Sequence, residues 1–175
     1  MKQILIAGFG GQGVLFAGKL LANAGMIEGK EVSWLPSYGP EMRGGTANCS
    51  VVISEKQIGS PIAVDPDVLL CFNLPSFDKF EKTVIPGGSI IADSSLIERE
   101  KTRDDIHEYR VPATKLAADN NIEGLANMIL IGKMIKETGI CSRDAVTQAL
   151  HKSVPMRKKD MTEYNLKAIG IGMEI

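Results

Sequence analysis

Glycines near the start of the chain have the spacing of a phosphate-binding loop. They form the pattern G-x-G-x-x-G within the segment from Gly8 to Gly13. In such loops the first glycine permits a tight turn, the second lets the backbone approach a ligand, and the third allows the helix to pack on the strand. The N–H groups of the first helical turn carry a partial positive charge that favours an anion. The predicted contact residues for a phosphate-like ligand are Gly8, Gly10, Gly11, Gln12 and Gly13.

A second loop, residues 36–45, contains two prolines, three glycines and an arginine. This composition is incompatible with a helix or a central strand. The Arg43 guanidinium is planar and permanently charged, which suits a phosphate or a carboxylate, and Gly44 and Gly45 allow backbone N–H groups to approach the same anion. Both loops follow strands whose carboxyl ends are predicted at one edge of a sheet, where α/β proteins bind ligands. We therefore expect Arg43, Gly44 and Gly45 to complete the site; the alternative is an arginine in an ordinary surface loop.

The two loops are predicted to belong to a strand–helix–strand unit. Apolar residues 4–7 form the first strand, apolar residues recur at helical spacing over 14–28, and residues 31–35 form a second strand that closes a βαβ unit. In an NAD site, an acidic residue near the end of the second strand binds the ribose. Here residues 35–37 are Leu-Pro-Ser, so an NAD-dependent dehydrogenase is disfavoured.

Strands and helices alternate along the rest of the chain. Residues 46–54 are rich in strand formers and are expected to form a hairpin with residues 58–62, which makes a mostly parallel sheet mixed. Further strands are predicted at 67–73, 89–93 and 106–111, and further helices at 75–82, 112–121, 125–138, 142–150 and 160–170. Residues 93–95 (Asp-Ser-Ser) follow a strand and are additional site candidates. We predict a single α/β domain over residues 1–175, a Rossmann-like three-layer α/β/α sandwich.

Composition and charge exclude several classes of function. The chain has 175 residues, of which 44% are hydrophobic and 23% are charged, as in an ordinary soluble protein. A formal net charge of -1 provides no electrostatic basis for binding nucleic acid. No apolar run approaches the ~20 residues that a membrane span requires, and the N-terminus lacks a signal-peptide pattern. We expect a cytoplasmic protein with no nucleic-acid or membrane partner.

No catalytic or metal-binding residue is predicted. The three cysteines, Cys49, Cys71 and Cys141, are far apart, and none belongs to a Cys-x-x-Cys pair. The chain has neither a G-x-S-x-G pattern nor a P-loop, and Glu41 is the one carboxylate beside the two loops. The residues alone predict a module that binds an anionic ligand close to the chemistry of another protein. The alternative is a stand-alone regulator that binds a nucleotide or a flavin.

The two glycine-rich loops together resemble a known family. The segments Ile6-Ala-Gly-Phe-Gly-Gly-Gln-Gly-Val14 and Ser37-Tyr-Gly-Pro-Glu-Met-Arg-Gly-Gly-Thr46 are similar to the gamma subunit of 2-oxoacid:ferredoxin oxidoreductases of the pyruvate, 2-oxoglutarate and 2-oxoisovalerate types. The similarity covers nearly the whole chain and includes residues 86–88, 126–128 and 165–169. Related chains occur as domains of pyruvate:ferredoxin oxidoreductases and as the small subunit of indolepyruvate oxidoreductases.

The resemblance implies a role in a larger enzyme. Such an assembly converts a 2-oxoacid, coenzyme A and oxidised ferredoxin into an acyl-CoA, carbon dioxide and reduced ferredoxin. The gamma subunit is expected to help bind coenzyme A and close the active site, and it is not expected to be active alone. Thiamine diphosphate and the 4Fe–4S clusters are expected on partner subunits, namely alpha and beta chains and a ferredoxin-like delta chain. Arg43 contacts either coenzyme A or the thiamine-bearing partner, and both roles stay open.

Overall fold

The computed structural model describes residues 1–38, 46–153 and 159–175. In the described part of the chain, strands with two interspersed helices occupy residues 2–111, and four helices follow in succession. The predicted alternation of strands and helices throughout the chain is therefore wrong, although each of the predicted helices is present. The strands are β1 (Lys2–Phe9), β2 (Glu31–Tyr38), β3 (Thr46–Ser54), β4 (Val68–Cys71), β5 (Ser89–Asp93) and β6 (His107–Val111). The helices are α1 (Val14–Ile27), α2 (Leu74–Phe80), α3 (Ala113–Asp119), α4 (Ala126–Thr138), α5 (Arg143–Ser153) and α6 (Lys159–Glu174). A short 3₁₀ turn over Glu81–Thr83 follows α2.

The strands form one mixed sheet in the order β2-β3-β1-β4-β5-β6. β3 runs antiparallel to both of its neighbours, β1 and β2. The pairs β1–β4, β4–β5 and β5–β6 are parallel. All residues of β4 are buried, as expected of a central strand covered on both faces. The α/β class and the mixed sheet predicted from the sequence are confirmed.

Two details of the strand pairing differ from the sequence prediction. β2 does not lie beside β1, because β3 is inserted between them. The hairpin strand predicted over residues 58–62 is wrong, since this segment contains no strand. Gly59 and Pro61 interrupt it, and a proline cannot donate to the hydrogen-bond ladder of a sheet. β3 pairs with β2 instead, in a register that places Leu35 opposite Ser50.

The helices cover the two faces of the sheet unequally. α1, α3, α4, α5 and α6 contribute to one large apolar core, which includes Ile4 and Leu70 from the sheet. On the opposite face, Leu5 packs in a smaller core with Phe77 of α2 and Ile106 of the segment that leads into β6. The predicted three-layer sandwich is therefore present, and one of its outer layers consists of a short helix and irregular chain.

The start of α5 and the end of α6 each have a structural cause. α5 is capped by Ser142, whose Oγ accepts a hydrogen bond from the backbone N–H of Ala145 at 3.1 Å. α6 extends to Glu174, beyond the predicted end, because Ile171 and Met173 continue its apolar side against the core. Over residues 1–38, 46–153 and 159–175, none of the helices combines the length and hydropathy of a transmembrane span.

Candidate functional site

The carboxyl ends of five strands meet at one edge of the sheet. β1, β4, β5 and β6 run parallel, and β2 points the same way because both β1 and β2 are antiparallel to β3. In open α/β sheets this edge is where ligands bind. The glycine loop, residues 8–13, lies here at the end of β1, and Asp93 ends β5 at the same edge.

The glycine loop makes a tight turn from β1 into α1. The backbone N–H of Gln12 donates to the carbonyl oxygen of Phe9 at 3.1 Å. Gly11 and Gly13 have φ angles of 101° and 77°, which residues with a Cβ rarely adopt. A Cβ at Gly13 would also collide with the side-chain amide of Asn127. The loop conformation therefore requires glycine at both positions.

The N-terminus of α1 is open toward this loop. The residue before the helix is Gly13, so no side chain caps the helix, and the first turn contains no acidic residue. The first N–H groups of a helix have no intrahelical partners, and the helix dipole adds a partial positive charge there. This geometry is compatible with the anion that the glycine pattern predicts.

The side chain of Gln12 connects the glycine loop to the end of β4. Gln12 Oε1 accepts a hydrogen bond from the backbone N–H of Phe9 at 2.7 Å and another from Asn73 Nδ2 at 3.2 Å. Gln12 Nε2 donates to the carbonyl oxygen of Phe72 at 3.2 Å. Both lone pairs of Oε1 are therefore used within the protein, which leaves one N–H of Nε2 for a ligand.

A cavity of about 270 Å³ opens beside the glycine loop. Gly11 and Gln12 border it on the loop side, and Phe72, Ala117 and Ala126 belong to its apolar walls. None of the described residues that line the cavity is a lysine or an arginine. The cavity itself therefore suits an uncharged group rather than a phosphate.

The first turn of α4 borders the cavity and also contacts the glycine loop. Asn127, in that turn, is buried, and its Nδ2 is 3.4 Å from the carbonyl oxygen of Gly13. Asn127 Oδ1 accepts from the backbone N–H of Met128 at 2.9 Å. No side chain of the preceding residue caps α4. The N-termini of α1 and α4 thus meet at the loop, and both present a partial positive charge there.

The carboxylate of Asp93 is buried in the wall of the cavity, where it joins β5 to α3. It accepts hydrogen bonds from the backbone N–H of Ser95 at 3.0 Å, from that of Thr114 at 3.2 Å and from Thr114 Oγ1 at 2.6 Å. Of the candidates at residues 93–95, Asp93 alone lines the cavity. Its hydrogen bonds serve the protein, so it shapes the wall. Glu123, also a lining residue, is exposed.

The second loop is predicted over residues 36–45, but residues 36–38 belong to β2, an edge strand, in which a proline is tolerated. The rest of the loop, residues 39–45 with Arg43, Gly44 and Gly45, lies outside the described residues. The strands on either side of it are described. Thr46, where β3 begins, lies opposite Phe9, where β1 ends. The segment between β2 and β3 therefore enters β3 at the edge that carries the glycine loop. A shared site for the two loops stays a prediction.

The three cysteines do not fit a metal centre or an iron–sulfur cluster. Cys49, Cys71 and Cys141 are all buried, and burial raises the pKa of each thiol to about 12. Clusters are held by thiolates. In the part of the chain that the structure describes, no group of three or more His, Cys, Asp or Glu side chains is arranged to hold a metal ion.

Sequence reasoning did not assign a site role to several residues that shape the site. They are Phe72, Asn73, Thr114, Glu123 and Asn127. Two of them carry a signal in the sequence. Asn127 is a polar residue in the first turn of a largely apolar helix, and Asn73 stands between a buried strand and a helix with proline in its first turn, as an N-cap residue does.

The whole chain is similar to proteins of one family. The family model described as pyruvate ferredoxin/flavodoxin oxidoreductase matches residues 3–175. The 2-oxoglutarate synthase subunit KorC of Methanocaldococcus jannaschii is 34% identical in an alignment of 177 positions, which covers 99% of this chain and 93% of KorC.

Two solved structures have the same fold. The gamma subunit of a keto/oxoacid ferredoxin oxidoreductase from Geobacter sulfurreducens has a TM-score of 0.85 and 29% identity, with 99% of this chain and 97% of that chain covered. A 2-oxoglutarate:ferredoxin oxidoreductase from Magnetococcus marinus, solved with 2-oxoglutarate, coenzyme A and succinyl-CoA, has a TM-score of 0.89 and 22% identity. The match covers 99% of this chain and 30% of the Magnetococcus chain, and at this identity it shows the fold alone.

Proposed function

The chain belongs to the pyruvate ferredoxin/flavodoxin oxidoreductase family, and from this membership we propose that it is the gamma subunit of a 2-oxoacid:ferredoxin oxidoreductase. The complex converts a 2-oxoacid, coenzyme A and oxidised ferredoxin into an acyl-CoA, carbon dioxide and reduced ferredoxin. The gamma chain helps to bind coenzyme A and to close the active site. The observation that carries the proposal is the family match over residues 3–175 together with 34% identity to KorC.

The cavity and the two helix N-termini support a role in binding coenzyme A. Coenzyme A joins charged phosphates to an uncharged pantetheine arm and an adenine. The N-termini of α1 and α4 favour the phosphates, and the apolar walls suit an uncharged part. At about 270 Å³ the cavity is smaller than the roughly 300–1,000 Å³ of sites that enclose a drug-sized ligand, so it holds only part of the molecule. The proposed contact residues are Gly8, Gly10, Gly11, Gln12 and Gly13.

Arg43, Gly44 and Gly45 complete the proposed site from the segment between β2 and β3. The position of Thr46 opposite Phe9 supports this, since it brings the end of that segment to the glycine loop. A guanidinium there supplies the cation that the described cavity walls lack. Arg43 contacts either the phosphates of coenzyme A or the subunit that binds thiamine diphosphate.

The remaining cofactors are assigned to partner subunits. Thiamine diphosphate supplies the stabilised carbanion for decarboxylation, and the 4Fe–4S clusters pass electrons to ferredoxin. The buried, protonated thiols of this chain do not fit the clusters. We therefore place both cofactors on the alpha and beta chains and a ferredoxin-like delta chain. This chain binds and orients coenzyme A and, through its apolar walls, excludes water.

Co-purification from the native host tests the proposed function. A tagged full chain should be recovered with larger chains that contain thiamine diphosphate and iron, and the preparation should reduce ferredoxin when given a 2-oxoacid and coenzyme A. Recovery of the chain alone, with a bound nucleotide or flavin, would contradict the proposal and support a stand-alone regulator.

A further inference from the structure

Gln12 belongs to the glycine loop, but its amide is used mainly to hold the loop in place. Its Oε1 accepts from the backbone N–H of Phe9 at 2.7 Å, which closes the turn at the end of β1. Its Nε2 donates to the carbonyl oxygen of Phe72 at 3.2 Å, which joins the turn to the end of β4. Phe72 also lines the cavity. One side chain thus sets the loop relative to a wall of the cavity.

Asn73 determines which way the Gln12 amide points. Asn73 is 3% exposed, and its Oδ1 accepts from the backbone N–H of Ser76 at 2.9 Å, which caps α2. Because Oδ1 is used in this way, Nδ2 must face Gln12, where it donates to Oε1 at 3.2 Å. The Gln12 oxygen is thereby held toward Asn73 and Phe9.

The packing around Gln12 leaves the loop little freedom to adapt. A Cβ added at Gly8 would lie 2.7 Å from Gln12 Oε1 and 3.0 Å from the Phe72 side chain. If the Gln12 amide turned over, its oxygen would face the carbonyl oxygen of Phe72 and its NH₂ group would face the N–H of Phe9. Both contacts would be repulsive, so loss of the Asn73 hydrogen bond cannot be repaired by a flip of Gln12.

We propose that Asn73 is a positioning residue, which acts through the Gln12 amide to hold the glycine loop and Phe72 in the arrangement that binds coenzyme A. This inference rests on the proposed function. It differs from a direct-contact role because Asn73 is buried and is not among the residues that line the cavity. Asn73 acts on the ligand only through Gln12.

Two substitutions distinguish the two roles of Asn73, its hydrogen bond to Gln12 and its cap of α2. Asn73→Asp has the same shape and keeps an oxygen for the N–H of Ser76, but it cannot donate to Gln12. Asn73→Ser is also a good N-cap residue, adds no charge and is too short to reach Gln12. Agreement between the two variants excludes an effect of charge. The matched control is Asn23→Asp on α1, which makes the same substitution at an amide that donates to Ser153 Oγ at 3.2 Å in another part of the chain.

The first measurement is made on the purified complex with coenzyme A varied. Loss of one hydrogen bond should raise KM for coenzyme A about three- to tenfold in both Asn73 variants. Because no reacting group is touched, kcat and recovery of the complex should not change, and Asn23→Asp should match the wild type. A fall in kcat with an unchanged KM, or wild-type kinetics in both variants, would overturn the inference.

The second measurement does not depend on coenzyme A. Amide hydrogen exchange of the full chain should be faster at Phe9 in both Asn73 variants, because the acceptor of that N–H is no longer held. Unchanged exchange at Phe9 would also overturn the inference. A wild-type complex that shows no dependence on coenzyme A would contradict the proposed function and this inference with it. If only the inference fails, the wild-type complex depends on coenzyme A and the two Asn73 variants behave like the wild type.

Discussion

The side-chain amide of Asn127 lies against Gly13 at the point where the glycine loop enters α1. Asn127 Nδ2 is 3.4 Å from the carbonyl oxygen of Gly13, and the space that a Cβ of residue 13 would need is filled by that amide. This contact joins the N-termini of α1 and α4, which are separated by more than half of the chain. The proposed anion site depends on it, because both helix ends must face the same ligand.

Gly13→Ala should destabilise the fold for two reasons, a positive φ of 77° and the collision with Asn127. In an Asn127→Ala background the collision is absent, so the cost of Gly13→Ala should fall by roughly 1–2 kcal/mol. Gly11→Ala is the control, since Gly11 has a positive φ but no neighbour within 4 Å of an added Cβ. Urea unfolding of the wild type, the two single variants and the double variant gives the four free energies of the cycle, and Gly11→Ala is measured beside them. If Gly13→Ala lowered the free energy of unfolding equally in both backgrounds, the Asn127 side chain would not be what excludes a Cβ at residue 13.

The buried carboxylate of Glu81 should stabilise the protein in a pH-dependent way. Burial alone would raise its pKa, but hydrogen bonds from the Thr102 backbone and the Arg99 guanidinium, at 2.8 Å for Arg99, lower the pKa below its usual value of 4.5. A carboxyl group with a lowered pKa contributes stability that is present above pH 4.5 and is lost as the pH falls through the lower native pKa.

Glu81→Gln should therefore lower the free energy of unfolding by about 1–3 kcal/mol at neutral pH, and the difference from wild type should shrink as the pH falls below 4.5. The matched control is Asp78→Asn, since Asp78 pairs with the same Arg99 but is exposed, and an exposed ion pair contributes less than about 1 kcal/mol. Urea titrations at several pH values measure both. A Glu81→Gln penalty that grows on acidification would contradict the assigned pKa.

The three thiols should not react while the protein is folded. Burial raises the pKa of Cys49, Cys71 and Cys141 to about 12, and the thiolate is the reactive form. With Ellman's reagent at mildly alkaline pH, the full chain should release colour only at the rate of unfolding, and all three thiols should react in denaturant. Fast reaction of one thiol in the folded chain would show that its surroundings are open to solvent.

Loss of the cap on α5 should lower the free energy of unfolding moderately. Ser142→Ala removes the acceptor for the backbone N–H of Ala145, so the free energy of unfolding should fall by about 1 kcal/mol. Thr147→Ala, in the middle of the same helix, is the control because its hydroxyl donates to a carbonyl already within the helix. A Ser142→Ala variant as stable as Thr147→Ala would contradict the assigned cap.

Features set by neighbouring residues could be predicted from the sequence. The run from Ser89 to Asp93 predicts β5 to the residue, because an apolar segment stands between a glycine turn and polar residues. The glycine turn after β1 is likewise predicted, but its positive φ angles fall at Gly11 and Gly13, whereas Gly8, which is predicted to permit the turn, lies in β1. These features depend on local sterics and local hydrophobicity, which a short stretch of sequence contains.

Features set by distant contacts could not be predicted in this way. The insertion of β3 between β1 and β2 depends on pairing across the sheet, and adjacent segments do not encode it. The orientation of the Gln12 amide depends on Asn73, and the fit at Gly13 depends on Asn127. Each partner lies more than fifty residues away along the chain. A hydrogen bond of this kind is determined only when the whole core has packed.

Hydrogen exchange on the purified complex, with and without coenzyme A, tests most directly whether this chain binds that ligand. We predict that coenzyme A slows exchange in the glycine loop, residues 8–16, and in the start of α4, residues 123–128. Exchange in α5, which contacts α1 toward its C-terminal end, should be unaffected. Coenzyme A that supports turnover but protects only the partner chains would contradict a coenzyme A site on this subunit.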